Sequence, residues 1–155
     1  MTSRRQIRVI AGVLLAAAAA AGAGCGGSTG PVSAAELISQ GDDLCAEERT
    51  RYREIQTQAP KAASDAVEQT EELIDVAEET LDGLTEIEPP SDLSAAYDRY
   101  LDARRQSLEL LERGREAAER HDRRAYGDAV EESEAGEARR EKLARAVGFE
   151  VCGRP

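Results

Sequence analysis

Apolar residues recur at spacings of three and four along four successive stretches of this chain, a pattern typical of helices with one buried face. The clearest stretch begins between Pro60 and Ser64 and ends at the Glu88-Pro89-Pro90 segment. Pro60 could occupy the first helical position, or Ser64 could cap the helix. The stripe itself alternates steps of four and three: Ala66, Thr70, Leu73, Ala77, Thr80, Leu84 and Ile87.

Short local signals bound the other three helices. Ser33 and Glu36 form a capping-box pattern that opens the first helix, and Ala59-Pro60 is expected to end it. Ser91 or Asp92 is expected to cap the third helix. Each signal places a helix end where the apolar stripe also begins or stops.

The fourth helix is predicted from Asp122, its N-cap, to Val147. Its apolar stripe is thinner than those of the other helices and consists of Tyr126, Val130, Ser133, Arg140, Ala144 and Val147. Gly148 then suits a left-handed Schellman ending, in which Phe149 folds back on Leu143 or Ala144. No stretch after Cys25 alternates apolar and polar residues as a strand would.

The sequence therefore predicts an all-α fold, an antiparallel up-down four-helix bundle spanning residues 34–155. The alternative is a long, partly disordered coiled coil, because 33% of the residues are charged. Regular stripes and two cysteines in the body of the chain favour the bundle.

Residues 1–24 have the features of a signal peptide. Arg4, Arg5 and Arg8 precede an uncharged run of residues 9–23, which is shorter than the roughly 20 residues that span a bilayer. A short membrane anchor is the alternative reading. The adjacent arginines also weakly resemble a twin-arginine export signal, although ordinary export is favoured.

The segment Ala21-Gly22-Ala23-Gly24-Cys25 resembles a lipobox, in which small residues precede a cysteine that becomes a thioether to diacylglycerol. Gly22 stands where leucine is usual, and cleavage after Ala23 for ordinary secretion is the competing interpretation. The odd count of three cysteines favours lipidation of Cys25. Residues 25–33 would then be a lipidated, flexible tether that holds the domain to the outer face of the cell membrane.

Charge and composition exclude several classes of partner and cofactor. The net charge is −11, and removal of three arginines with the signal peptide makes it −14, which disfavours nucleic acid and anionic lipid surfaces. The single histidine, His121, falls in a predicted turn and is interpreted as a solvated surface residue. Because ligand sets for haem, di-iron and zinc are missing from the sequence, we expect no metal, no cofactor and no enzymatic activity.

Cys45 and Cys152 are expected to form a disulfide outside the cytoplasm. Cys45 lies about 15 Å along the first helix at ~1.5 Å per residue. The five residues from Val147 to Cys152 can reach ~17 Å when extended. The tail can therefore just return to the first helix and close the bundle.

Two charged residues interrupt the apolar stripes at positions that should be buried. Glu48 on the first helix and Arg104 on the third fall at nearly the same level of an up-down bundle, with Glu137 of the fourth helix about one turn away. We predict a Glu48–Arg104 ion pair that Glu137 could join. The alternative is that the side chains extend outward from the edge of the stripe.

The segments Asp43–Glu47, Glu88–Leu101 and Val147–Gly153 resemble a group of uncharacterised lipoproteins from high-GC Gram-positive bacteria. The resemblance implies a helical, disulfide-closed lipoprotein and supplies no activity. Two functions remain: a noncatalytic interaction or structural module that contacts an unknown envelope protein or component, and a ligand-binding or sensing bundle. The first is expected for a narrow bundle with small core residues, whereas a cavity of roughly 300 Å³ or more between the helices would favour the second.

Overall fold

The computed structural model describes residues 30–154 and contains four α-helices and no strand within that range. The helices are α1 (Ala34–Ile55), α2 (Ala63–Glu86), α3 (Ser94–Glu119) and α4 (Arg123–Val147). The predicted all-α class is confirmed. The predicted signal peptide and Cys25, the predicted site of lipidation, lie outside the described residues.

Contacts between neighbouring helices show that successive helices run in opposite directions. Along α3 and α4, Ser107 contacts Arg140 whereas Arg113 contacts Glu132, so residue numbers fall on one helix as they rise on the other. The same order relates α1 to α2 and α2 to α3. Each helix packs on the next, but within residues 30–154 no comparable contact closes the fourth side, between α1 and α4.

Three of the predicted helix ends are formed by their own local residues. The Ser33 amide donates to Glu36 Oε2 at 2.9 Å, and the Glu36 amide donates to Ser33 Oγ at 3.2 Å, which completes the capping box. Asp122 accepts from the Ala125 amide at 3.0 Å at the start of α4. Gly148 adopts φ +107° at the end of α4, a conformation that glycine adopts without steric cost.

The boundary between α1 and α2 differs from the prediction. Helix α1 ends at Ile55 rather than at Ala59, because the Gln69 amide group donates to the Ile55 and Gln58 carbonyls at 2.9 and 3.0 Å. Helix α2 begins at Ala63, so Pro60 is not its first residue and Ser64 does not cap it. Asp65 does so instead, accepting the backbone amides of residues 61 and 62 at 3.1 and 3.2 Å.

The start of α3 also differs from the prediction, since neither Ser91 nor Asp92 caps it. A tight turn precedes the helix, in which the Leu93 and Ser94 amides both donate to the Pro90 carbonyl, at 3.0 and 3.1 Å. The chain therefore enters α3 through backbone hydrogen bonds, and a side-chain cap is not needed.

The largest apolar core lies at one end of the bundle, where α1 and α3 begin and α2 and α4 end. We call this end the clasp end, and the opposite end, with the α1–α2 loop and the α3–α4 turn, the far end. The side chains of Tyr97, Tyr100 and Phe149 are almost fully buried there, and both tyrosine rings meet Phe149 edge to face. Aliphatic and alanine side chains complete this core: Leu37, Leu84, Ile87, Leu101, Ala144 and Val147.

Residues that follow α4 fasten the clasp end to α1. Asp42 accepts the backbone amides of Glu150, Val151 and Cys152 at 2.9, 2.8 and 3.1 Å. The predicted Cys45–Cys152 disulfide is present, with the two Cα atoms 5.3 Å apart. We call residues 149–154 the tail. The carboxylate of Asp42, which the sequence analysis did not single out, fixes its path.

Candidate functional site

Glu48 and Arg104 form a two-pronged ion pair between α1 and α3. Arg104 Nη1 donates to Glu48 Oε2 at 2.9 Å, and Arg104 Nη2 donates to Glu48 Oε1. The glutamate and arginine side chains are only 10% and 12% exposed. The structure therefore places both charged residues inward, and the outward-extended alternative is wrong for this pair.

The pair lies beside Tyr52 and Tyr100, and burial is the main effect that disfavours ionisation of both tyrosines. Burial, with the nearby Glu48 carboxylate, raises the pKa of Tyr52 to about 12. The Tyr52 hydroxyl donates to the Leu73 carbonyl at 3.2 Å. Burial disfavours the charge on Arg104, but the adjacent Glu48 carboxylate outweighs this and raises the pKa of Arg104 above its ordinary value. Both members of the pair are held in a site from which water is largely excluded.

Glu137 does not join this pair in the structure. Its Oε1 atom lies 4.0 Å from Arg140 Nη2, one turn further along α4. Arg140 also donates from Nη1 to Ser107 Oγ at 2.9 Å, which ties α4 to α3. Glu137 therefore faces the same space as the ion pair but contacts a different arginine.

A cavity of about 330 Å³ occupies the open side of the bundle between α1 and α4. We call it the α1/α4 groove. Helix α3 forms its floor and the tail forms its edge towards the clasp end. Its lining includes Glu48, Arg49, Tyr52 and Arg53 of α1, Gln56 directly after α1, Arg104, Ser107, Leu108 and Leu111 of α3, Ser133, Glu137 and Arg140 of α4, and Val151, Cys152 and Arg154 of the tail.

The groove has a charge balance opposite to that of the whole chain. Its lining contains five arginines and two glutamates, whereas the whole chain has 20 basic and 31 acidic residues. The arginines come from three helices and the tail: Arg49, Arg53, Arg104, Arg140 and Arg154. The groove is therefore a locally positive site on an acidic protein.

The groove continues towards the far end as a smaller hollow of about 220 Å³, which shares Gln56, Leu111 and Ser133 with it. Val130 belongs to the predicted buried stripe of α4 but is 41% exposed beside this hollow. The thin stripe of α4 is uncovered because α1 does not pack against it.

The arrangement is suited to holding a ligand by charge and hydrogen bonds. Guanidinium groups bind carboxylates and phosphates through paired N–H donors, and the leucine floor offers apolar contact. Within residues 30–154, no cluster of three or more histidine, cysteine, aspartate or glutamate side chains could hold a metal ion, and no helix is long and apolar enough to cross a membrane.

The remaining sequence predictions concern residues away from the groove. His121 is exposed in the α3–α4 turn, with φ +55°, as expected for a solvated surface residue.

Arg49 and Arg53 were not predicted as site residues. Charged positions on an amphipathic helix ordinarily face solvent, and only the opening between α1 and α4 brings these two to a cavity.

Comparison of the chain with protein-family models, curated proteins and solved structures gives no match. The resemblance to uncharacterised lipoproteins therefore stays a prediction.

Proposed function

We propose that the chain is a noncatalytic lipoprotein, held on the outer face of the cell membrane by acyl groups on Cys25, that binds a ligand in the α1/α4 groove. The observation that carries the binding role is the cavity of about 330 Å³, which lies at the lower end of the range for small-molecule sites. This cavity favours the ligand-binding bundle over a purely structural or interaction module.

The position of Val32 supports a fixed orientation for such an anchored domain. Its amide donates to the Glu88 carbonyl at 2.9 Å, so the described chain begins against the α2–α3 loop at the clasp end. Seven residue-to-residue steps separate it from Cys25 and can extend about 23 Å at ~3.3 Å each. An acylated Cys25 would keep the clasp end near the lipid and direct the far end away from it.

A second candidate function, contact with another envelope protein, rests on the far end. A hollow of about 570 Å³ lies there between the α1–α2 loop and the α3–α4 turn, with Pro60, Ala66, Ala118 and Tyr126 in its lining. In the anchored orientation this hollow would face away from the membrane. It has no charge pattern that indicates a particular partner, and we therefore rank it second.

The binding role can be tested with a variant that fills the groove. Ser133 lines the groove on α4, and Ser133→Trp would occupy it. Ser39→Trp, at an exposed position of α1 outside the groove, is the matched control. The acylated protein would be purified from its own membranes in nonionic detergent and examined by native mass spectrometry. We expect a co-purifying small molecule with the wild type and Ser39→Trp and its loss with Ser133→Trp.

If the same ligand or protein partner persists with Ser133→Trp, binding occurs outside the groove and the proposal is wrong. Membrane attachment is tested separately with Cys25→Ser. We expect this variant to leave the membrane fraction, because the thiol that would carry the lipid is gone. Unchanged fractionation with the membrane would contradict the lipoprotein assignment.

A further inference from the structure

We propose that the ligand of the α1/α4 groove carries an oxyanion, a phosphate or carboxylate group, which is held by Arg53 and Arg140 on opposite walls of the groove. This inference rests on the proposed binding function and specifies the chemistry of its ligand. The lining of the groove carries an excess of three positive charges, because it contains five arginines and two glutamates.

Three of the five arginines are engaged elsewhere or lie at the edge of the groove. Arg104 is matched by Glu48 in the buried pair, so it supports the groove rather than offering a free charge. Arg154 lies on the tail at the edge of the groove, where its side chain is 65% exposed and 3.8 Å from Glu150. Arg49 donates to the main-chain carbonyls of Val151 and Arg154, at 2.6 and 3.2 Å, and so holds the tail in place.

Two arginines retain most of their capacity for an anion. Within residues 30–154 the hydrogen bonds of Arg53 stay inside α1: it donates to the Arg49 carbonyl at 3.3 Å and to Thr50 Oγ1 at 3.5 Å. Arg140 is held by Ser107, and its nearest carboxylate, on Glu137, is 4.0 Å away, beyond hydrogen-bond distance. A planar guanidinium on each wall matches the geometry of a phosphate or carboxylate group.

The rest of the lining limits the size and character of the molecule. Leu108 and Leu111 on the floor and the ring of Tyr52 offer apolar contact. The volume of about 330 Å³ suits a small molecule. The ligand class is therefore a small amphiphilic anion, with one oxyanion group and a short apolar part.

Such an oxyanion could belong to a soluble molecule or to a lipid headgroup. The acidity of the rest of the chain, which has 31 acidic against 20 basic residues, repels an extended anionic surface. A small anion can enter the locally positive groove without bringing that surface close. The structure thus favours a soluble molecule over a lipid headgroup as the source of the oxyanion.

The test uses butyl phosphate and butyrate as probes, with butanol as the neutral control. Each is titrated into the acylated, isotope-labelled protein in nonionic micelles, and the arginine Nε–H resonances are followed by NMR. We expect saturable shifts with both anions and none with butanol. The double variant Arg53→Gln/Arg140→Gln should weaken anion binding by about tenfold or more, since each change removes a charge-assisted hydrogen bond.

Arg124→Gln is the matched control, because it removes one positive charge from a side chain that is 93% exposed and outside the groove. An equal loss of affinity with Arg124→Gln, or absence of saturable binding by either anion, would overturn the proposal. A neutral or cationic ligand that is lost with Ser133→Trp would also overturn it, while leaving the proposed binding function intact.

The source of the oxyanion is found by reconstituting the protein in phosphatidylcholine vesicles with and without phosphatidylglycerol. If the anionic lipid competes with butyl phosphate and the competition depends on Arg53 and Arg140, the headgroup is the source. If it does not compete, the source is a soluble molecule. Both results support the oxyanion site, whereas competition that survives the double variant contradicts it.

Discussion

Replacing Gly41 with alanine should destabilise the protein, although the same change within a helix normally stabilises it. Gly41 lies in α1 directly beneath the ring of Phe149. A Cβ atom built there would lie 2.6 Å from Phe149 Cζ and closer still to Cε1. The alanine can be accommodated only if the ring or the helix moves.

The ring has little freedom to move. Phe149 is 2% exposed and packs edge to face against Tyr97 and Tyr100, with ring centroids 6.1 and 5.3 Å apart. Its own amide donates to the Ala144 carbonyl, and the next three amides are held by Asp42. Displacing the ring therefore disturbs both the core of the clasp end and the path of the tail.

The expected size follows from two opposing effects. Overpacking of a well-filled core costs about 1–3 kcal/mol. Alanine in place of glycine contributes about 1 kcal/mol of helix propensity. We expect a net loss of roughly 0–2 kcal/mol for Gly41→Ala. At Gly127, where nothing lies within 4 Å of the added atom, we expect Gly127→Ala to stabilise by about 0.5–1 kcal/mol.

Urea unfolding of both variants, with the disulfide intact, measures the difference. Gly41→Ala should also be less harmful in a Phe149→Leu background, because the ring that it displaces is gone. The reasoning is refuted if Gly41→Ala stabilises the protein as much as Gly127→Ala does. It is equally refuted if Phe149→Leu leaves the effect of Gly41→Ala unchanged.

Three further predictions concern the disulfide, the Glu48–Arg104 ion pair and Tyr52. Peptide mapping without reductant should find Cys45 joined to Cys152, and two free thiols in freshly alkylated protein would contradict the disulfide. Replacing both cysteines with alanine should lower the free energy of unfolding by at most ~4.7 kcal/mol. Glu48→Ala and Arg104→Ala should each lower the free energy of unfolding by ~3–5 kcal/mol, because each leaves a buried charge without its partner. A double-mutant cycle that gives no coupling energy would show that the pair is not formed in solution. The raised pKa of Tyr52 favours its neutral form in the folded state, so below pH 10 this tyrosine contributes roughly 2–3 kcal/mol to the free energy of unfolding, and the contribution is lost as the pH rises towards about 12. Urea unfolding on either side of pH 10 should therefore show a smaller loss of stability for Tyr52→Phe than for the wild type. Equal losses of stability would contradict the raised pKa of Tyr52.

Features that depend on a few neighbouring residues could be predicted from the sequence. The Ser33 capping box, the Asp122 cap and the Gly148 ending all satisfy helix-end groups within three or four residues of themselves. The end of α1 could not be predicted in this way, because Gln69 reaches it from α2. Asp42 was missed for the same reason: it meets amides 108 to 110 residues later in the chain.

The candidate site was only partly predictable. Glu48 and Arg104 stood out because they interrupt apolar stripes, and their level along the helices followed from helix length. The placement of Glu137 beside Arg140 depends on the rotation of α4, which a thin stripe does not determine. The groove exists because α1 and α4 stay apart, and periodicity along single helices carries no information about that separation.

The fastening of the tail to α1 determines the order in which the domain can be completed as the chain leaves the ribosome. Cys45 emerges 107 residues before Cys152, which at about 5–20 residues per second is a delay of roughly 5–20 seconds. Through that interval the aromatic core lacks Phe149, and Asp42 has no amides to receive. The clasp end is therefore the last part of the domain to form, because its aromatic core and its disulfide both need residues that are synthesised at the end of the chain.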